Sequence, residues 1–156
     1  MFREMRRIKQ QLSIDECKEI LKSSKRAVLS MSGDYGYPYG VPVDYYYDEN
    51  DDAIYIHSAK EGHKIDALKK CEKISFTTWK EKSKIEFGFE VLSVIVFGKV
   101  IFVDDKKEIE RRLWDIGNKY HKNDEFNKSE IKRNLDKVQI IKIMIEHMTG
   151  KHVNEF

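Results

Sequence analysis

Apolar and polar residues follow two different periods along this chain, and the switches between them mark its elements. Ser13 and Glu16 have the spacing of a capping box, in which each side chain satisfies a free backbone N–H at a helix start. Ile14, Cys17, Ile20 and Leu21 then recur at helical spacing, which predicts a short helix with one apolar face ending near Ser23–Ser24. Arg26–Ser32 reads as a strand, and Gly33 to Gly36 as a turn whose two glycines adopt positive φ without steric cost. Tyr37–Tyr47 is a second strand. Its Pro38 and Pro42 cannot donate to a ladder, so each faces away from a neighbour or sits at a bulge. The acidic run Asp48–Asp52 is a turn, and Ala53–His57 a third strand completing a hairpin.

Further along, Ile65 and Leu68 share one face of a short helix, His63–Lys70. Lys73–Trp79 is a fourth strand and the charged Lys80–Ile85 a connection. Phe87–Val103 is rich in β-branched residues and longer than an average strand, which predicts a strand bent near Gly98. A helix begins at Asp104, with Ile109, Leu113, Ile116 and Tyr120 on its apolar face and Lys107, Glu108, Arg111 and Arg112 on a solvated one. Ser129–Asp136 is a second helical piece, Val138–Ile145 a sixth strand and His147–Phe156 a tail. Six antiparallel-type strands with few helices between them argue for a mainly β fold, a small six-stranded barrel with flanking helices. One domain over residues 1–156 is expected, its core spanning about 26–151.

Charge narrows the classes of partner. Of the 156 residues 36% are charged, yet 29 basic and 27 acidic side chains leave a net charge of only +2. That balance gives no argument for nucleic acid or for a membrane surface, although Tyr35, Tyr37, Tyr39 and Tyr45 to Tyr47 have the character of stacking platforms. No apolar run approaches the roughly 18 residues of a membrane span, and the basic N-terminus lacks the apolar region of a signal peptide. Two cysteines, Cys17 and Cys71, are too few for a disulfide framework, so a cytoplasmic protein with reduced thiols is expected. His57 and His63 stand six apart without a known zinc spacing, and no metal is expected.

The stretch from Tyr37 to Leu68 carries the candidate chemistry. Its loop brings Ser58, Lys60, Gly62, His63 and Lys64 to a helix start, where outward N–H groups and the macrodipole favour an anion. The same residues also fit an ordinary solvated loop, and His57 an ordinary polar strand end.

The order of GYPYGVPVDYYY, IYIHSAKEGHKIDAL, SVIVFGKV after a tryptophan, and HMTGK resembles the pyridoxamine 5′-phosphate oxidase-like flavoproteins, within them the 5-nitroimidazole reductase-related branch. The likeness runs from about Arg26 to Lys151. It implies an FMN-binding split barrel and a homodimer with FMN sites between the subunits. By that resemblance Val41, Pro42, Val43, Asp44 and Tyr45 pass along the isoalloxazine ring, with backbone near Val43 and Asp44 at its polar edge. His57 and Ser58 lie at the ribityl and phosphate region, His63 and Lys64 form the basic phosphate-binding pair, and Lys60 assists. Ser93, Val94 and Ile95 reach across from the second subunit, with Trp79 near the same cleft. The chain lacks the arginine-containing C-terminal signature of the oxidases proper and has His63 where they have arginine, so pyridoxamine phosphate oxidation is not expected.

An FMN-dependent oxidoreductase follows as the expectation, reducing a small electron-poor acceptor such as a nitroaromatic. No GxGxxG fingerprint is present, so any NAD(P)H would bind transiently at the flavin. His57 is the candidate catalytic residue. A flavin-binding electron relay without turnover and a haem-handling split barrel are the alternatives.

Overall fold

Two strands that follow one another in sequence lie at opposite edges of the same sheet, and this fixes the architecture. The computed structural model describes residues 1–85 and 88–155, with the side chains of 82–85, 88, 89, 154 and 155 left aside. Among these residues the strands are β1 (Arg26–Ser32), β2 (Pro38–Asp44), β3 (Tyr46–Asp48), β4 (Ala53–Ala59), β5 (Lys73–Ile85), β6 (Gly88–Val103) and β7 (Val138–Glu155). The helices are α1 (Ile14–Ser23), α2 (His63–Lys70), α3 (Lys106–Tyr120) and α4 (Asp124–Asn134). All ladders are antiparallel, in the order β2-β1-β5-β6-β7-β4-β3. Only Tyr45 separates β2 from β3, so the sheet curls until its two edges meet: a split barrel, mainly β, with flanking helices.

At that seam no ladder serves the backbone of Tyr45, and a side chain from α3 takes over. The Tyr45 N–H donates to the Tyr120 hydroxyl at 2.9 Å, and that hydroxyl donates to the carbonyl of Lys25. A buried backbone group without such a partner would cost about 1–3 kcal/mol. The Tyr45 side chain turns inward, is fully buried, and donates its own hydroxyl to the Leu21 carbonyl at 2.7 Å.

The sheet's two faces carry two cores. Inside the barrel, Leu29, Ile54, Ile56, Phe76, Val94, Val96 and Ile143 pack with Cys17 and Leu21 of α1. Outside β4 and β7, a smaller cluster of Ala53, Tyr55 and Ile140 is covered by Ile116 of α3. Strand β4 is buried on both faces from Ala53 to Ile56, and only at His57 does it emerge.

The structure corrects several expectations. Seven strands replace six, because the Tyr37–Tyr47 run breaks at Tyr45. The charged 80–85 segment is no connection but the end of β5, and most of the predicted tail continues β7, each held by its ladder to β6. Phe87, where the long strand was placed to begin, and Phe156 lie outside the described residues. The bend at Gly98 is a bulge: the register shifts between Phe97 and Gly98, and a Cβ there would strike the Met144 carbonyl oxygen. The last helix begins earlier, at an Asn123 cap that accepts from the Phe126 N–H. The Ser13–Glu16 capping box is formed on both sides, but Ile14 is exposed and only Cys17, Ile20 and Leu21 are buried. Arg112, read as solvated, is 2% exposed and bonds Asp48 and Glu108 at 2.6 Å each, tying α3 to the β3–β4 turn. No helix among the described residues is long and apolar enough to cross a membrane.

Candidate functional site

The loop between β4 and α2 places a cation beside the free edge of β2. Gly62 caps α2 with φ 121°, a conformation that favours glycine, and no side chain caps the helix start. The first-turn amides of α2 therefore have no helical or side-chain acceptor. Lys64 is half-buried and makes no hydrogen bond or ion pair to a described residue, and burial holds its ammonium below the usual lysine pKa. His63 is more fully engaged. Its ring stacks on Tyr39 with centroids 4.1 Å apart, and its Nε2 lies 3.5 Å from the Asp34 carboxylate, which Lys70 also holds at 3.0 Å.

Edge strand β2 pairs with β1 alone and without a bulge, which accommodates both prolines, their nitrogens an even number of residues apart and turned outward. The same alternation points the Asp44 backbone at the free edge. Pro42, Val43 and Asp44 of this edge, with Arg26, His57 and Lys64, line a cleft of about 330 Å³. Arg26 and Asp44 lie opposite each other in the β1–β2 register, and the Arg26 Nε donates to Asp44 Oδ1 at 3.0 Å. Burial in the cleft wall holds the His57 imidazole below its ordinary pKa; Asp44 pulls it back up, and Lys64 pushes it further down. The downward shift favours the uncharged imidazole of His57, which can both donate and accept. A second cleft of about 350 Å³, walled by α3 and α4, shares Asp44 and His57 with the first.

The expected site residues divide into two groups. Pro42, Val43, Asp44, His57 and Lys64 come together around the cleft. Val41 packs against the barrel core, Tyr45 is wholly interior, and Ser58 and Lys60 stand near the end of β4 without lining the cleft. Trp79 is opposite Ser93 in the β5–β6 ladder, with Ile95 two residues on; Trp79 and Ile95 are exposed, and none of the three lines the cleft. Val94 turns its side chain into the barrel, and as part of a central strand it is paired with both Thr78 and Gly150. Arg26 and the helix-pair wall were missed by sequence reasoning. Arg26 heads a strand like any solvated basic residue, and its partnership with Asp44 exists only once the hairpin register is set. Among the described residues no group of three or more His, Cys, Asp or Glu side chains is arranged to hold a metal ion.

Comparison with known proteins places the chain among relatives. A family model described as pyridoxamine 5′-phosphate oxidase matches residues 13–152. A protein from Bacteroides thetaiotaomicron, provisionally named for 5-nitroimidazole antibiotic resistance, superposes with a TM-score of 0.78 at 24% identity, over 93% of this chain and 87% of its own. A conserved hypothetical protein from Mycobacterium tuberculosis gives 0.78 at 17% identity, covering 95% and 90%. An FAD-binding protein from Mesorhizobium loti gives 0.65 at 24%, covering 92% and 97%. A search of curated proteins found no match.

Proposed function

The chain belongs to the pyridoxamine 5′-phosphate oxidase family, and from that premise we propose that it is an FMN-binding oxidoreductase reducing a small electron-poor acceptor, such as a nitroaromatic, in the cytoplasm. The observation that carries this reading is Lys64, a half-buried cation with no described anionic partner, at an uncapped helix start beside an open strand edge. A flavin mononucleotide fits those residues. Lys64 and the first-turn amides of α2 would receive its phosphate, and the free edge at Asp44 would meet the hydrogen-bonding rim of the ring. When bound, the flavin supplies the redox chemistry, taking electrons from a reduced nicotinamide and delivering them to an acceptor. A nitro group that takes up two electrons and two protons yields a nitroso group and water. His57, on the cleft wall, would hold or pass a proton there.

A homodimer is part of the same proposal. Trp79, Ile95, Phe97, Ile101 and Met144 are large apolar side chains exposed on β5, β6 and β7, and such a surface favours a second copy as cover. Light scattering on the flavin-loaded protein should give twice the 18.5 kDa chain mass, and a monomer would defeat this part. The reaction is tested by adding NADPH without oxygen, then a nitroarene, to FMN-loaded protein. Flavin absorption should bleach and then recover as the nitro compound is consumed. A flavin that never bleaches would point to a binding or relay protein, a Soret band in the isolated protein to haem, and failure to take up any flavin would refute the proposal.

A further inference from the structure

The reading above leaves a neighbouring cavity unused. It lies between α3 and α4 and adjoins the flavin cleft through the shared wall of Asp44 and His57. Its volume is about 350 Å³, within the range of small-molecule sites. The walls are largely apolar, with Leu113 and Ile116 of α3 and Phe126 and Ile131 of α4 among the lining residues. The two helices are joined closely beside it. Gly117 lets α4 approach, since a Cβ there would come within 3.1 Å of Asn127 Oδ1. Asn127, 3% exposed, donates to Asn118 Oδ1 at 2.9 Å and to the His121 carbonyl at 2.7 Å, which fixes the turn between the helices.

Charge selects among small rings. Among the described residues no lysine or arginine lines this cavity, whereas two carboxylates, Asp44 and Glu130, do, along with the imidazoles of His57 and His121. Each has a cation of its own, Arg26 for Asp44 and Arg133 for Glu130, so the walls are close to neutral but hold no cation for an anionic ligand. An aromatic carboxylate entering here would lose water and meet donors such as His57 but no lysine or arginine among the described lining residues. A neutral ring would lose little.

We propose that the cavity between α3 and α4 is the acceptor subsite, taking an uncharged, planar, six- or five-membered aromatic compound and rejecting anionic ones, with the His57 side of the ring turned toward the flavin cleft. The subsite rests on the reading of the adjoining cleft as the flavin site. It assigns the substrate class to the pair of helices that follows β6 rather than to the barrel.

Nitrobenzene and 4-nitrobenzoate have the same ring and nitro group and differ in charge, so they are the probes. With oxidised FMN-loaded protein, nitrobenzene should bind at least about tenfold more tightly than 4-nitrobenzoate, a gap of about 1.4 kcal/mol. Ile131→Trp, which fills the cavity from a half-buried position, should weaken nitrobenzene about tenfold while FMN affinity and the thermal midpoint hold. Glu130→Lys, which adds the missing cation, should improve 4-nitrobenzoate by a similar factor of about ten. Amide shifts on nitrobenzene addition should centre on Gly117, His121 and Asn127, and this readout also serves flavin-free protein. If both variants bind both probes as the parent does, or the shifts lie elsewhere, the subsite is refuted even where FMN binds normally. Loss of FMN binding together with intact nitrobenzene shifts would instead refute the flavin reading alone.

Discussion

Replacing Lys64 by alanine should separate FMN from riboflavin, two ligands that differ only in the phosphate. Its ammonium is half-buried with no described anion beside it, and burial lowers its pKa, so ligand-free protein holds the charge at a cost. A phosphate removes that cost and accepts a charge-assisted bond, which contributes about 1.5–3 kcal/mol net. The expected loss of FMN affinity is therefore about 10- to 150-fold. Riboflavin brings no charge to this point and should change by less than about threefold. Lys64→Glu should be worse for FMN through repulsion. Lys64→Met keeps the apolar stem but not the charge, and without ligand it should unfold no earlier than the parent. Fluorescence titrations with each flavin, at low and high salt, together with thermal melts, read all of this. The parent's preference for FMN should shrink as salt rises, since the site is partly open. Equal losses for both flavins, or a ligand-free Lys64→Met that melts well below the parent, would make Lys64 a structural residue and remove the phosphate site.

Two further outcomes test the frame that carries the site. Arg112→Met leaves Asp48, 5% exposed, without its buried partner and should cost about 3–5 kcal/mol, read as a lower urea midpoint; a loss below about 1 kcal/mol would show that the network is only as strong as a surface pair. Lys119 lies over the Tyr45 ring at 3.6 Å with its Nζ buried and unbonded, and burial lowers its pKa to about 8. Between about pH 8 and the ordinary lysine value of 10.5 the unfolded chain holds the extra proton, so stability should rise with pH there and fall back as pH drops through 8. Lys119→Met should abolish that rise in urea unfolding measured from pH 7 to 10, and an unchanged slope would show that the ammonium is solvated.

How much was legible in the sequence follows from how far apart the interacting residues are. The Ser13–Glu16 box and the Gly98 bend are local, and each was visible as a spacing or a break in pattern. The split at Tyr45 was not, because the hydroxyl that replaces its ladder belongs to Tyr120, 75 residues away. Arg112 was misjudged for the same reason: helical periodicity puts it on the polar side of α3, but Asp48 and Asp51 come to meet it from another part of the chain, so α3 has two engaged faces. Charge alternation in residues 80–85 looks like a solvated loop, yet a strand with a partner along its length needs no apolar face there.

The candidate site divides along the same line. Gly62 and Lys64 are two residues apart, and a glycine before a basic helix start is a local pattern that needs no fold to be seen. Arg26 and Lys64 are both basic residues on the cleft, and only the fold shows which of them already has a carboxylate partner. The β1–β2 register sets Arg26 against Asp44 and occupies its charge, whereas the elements around Lys64 bring it no described carboxylate. Which cation is left without a carboxylate is decided by what the fold brings to the others, and the proposed α3–α4 subsite extends that logic, since no lysine or arginine among the described residues stands on its walls.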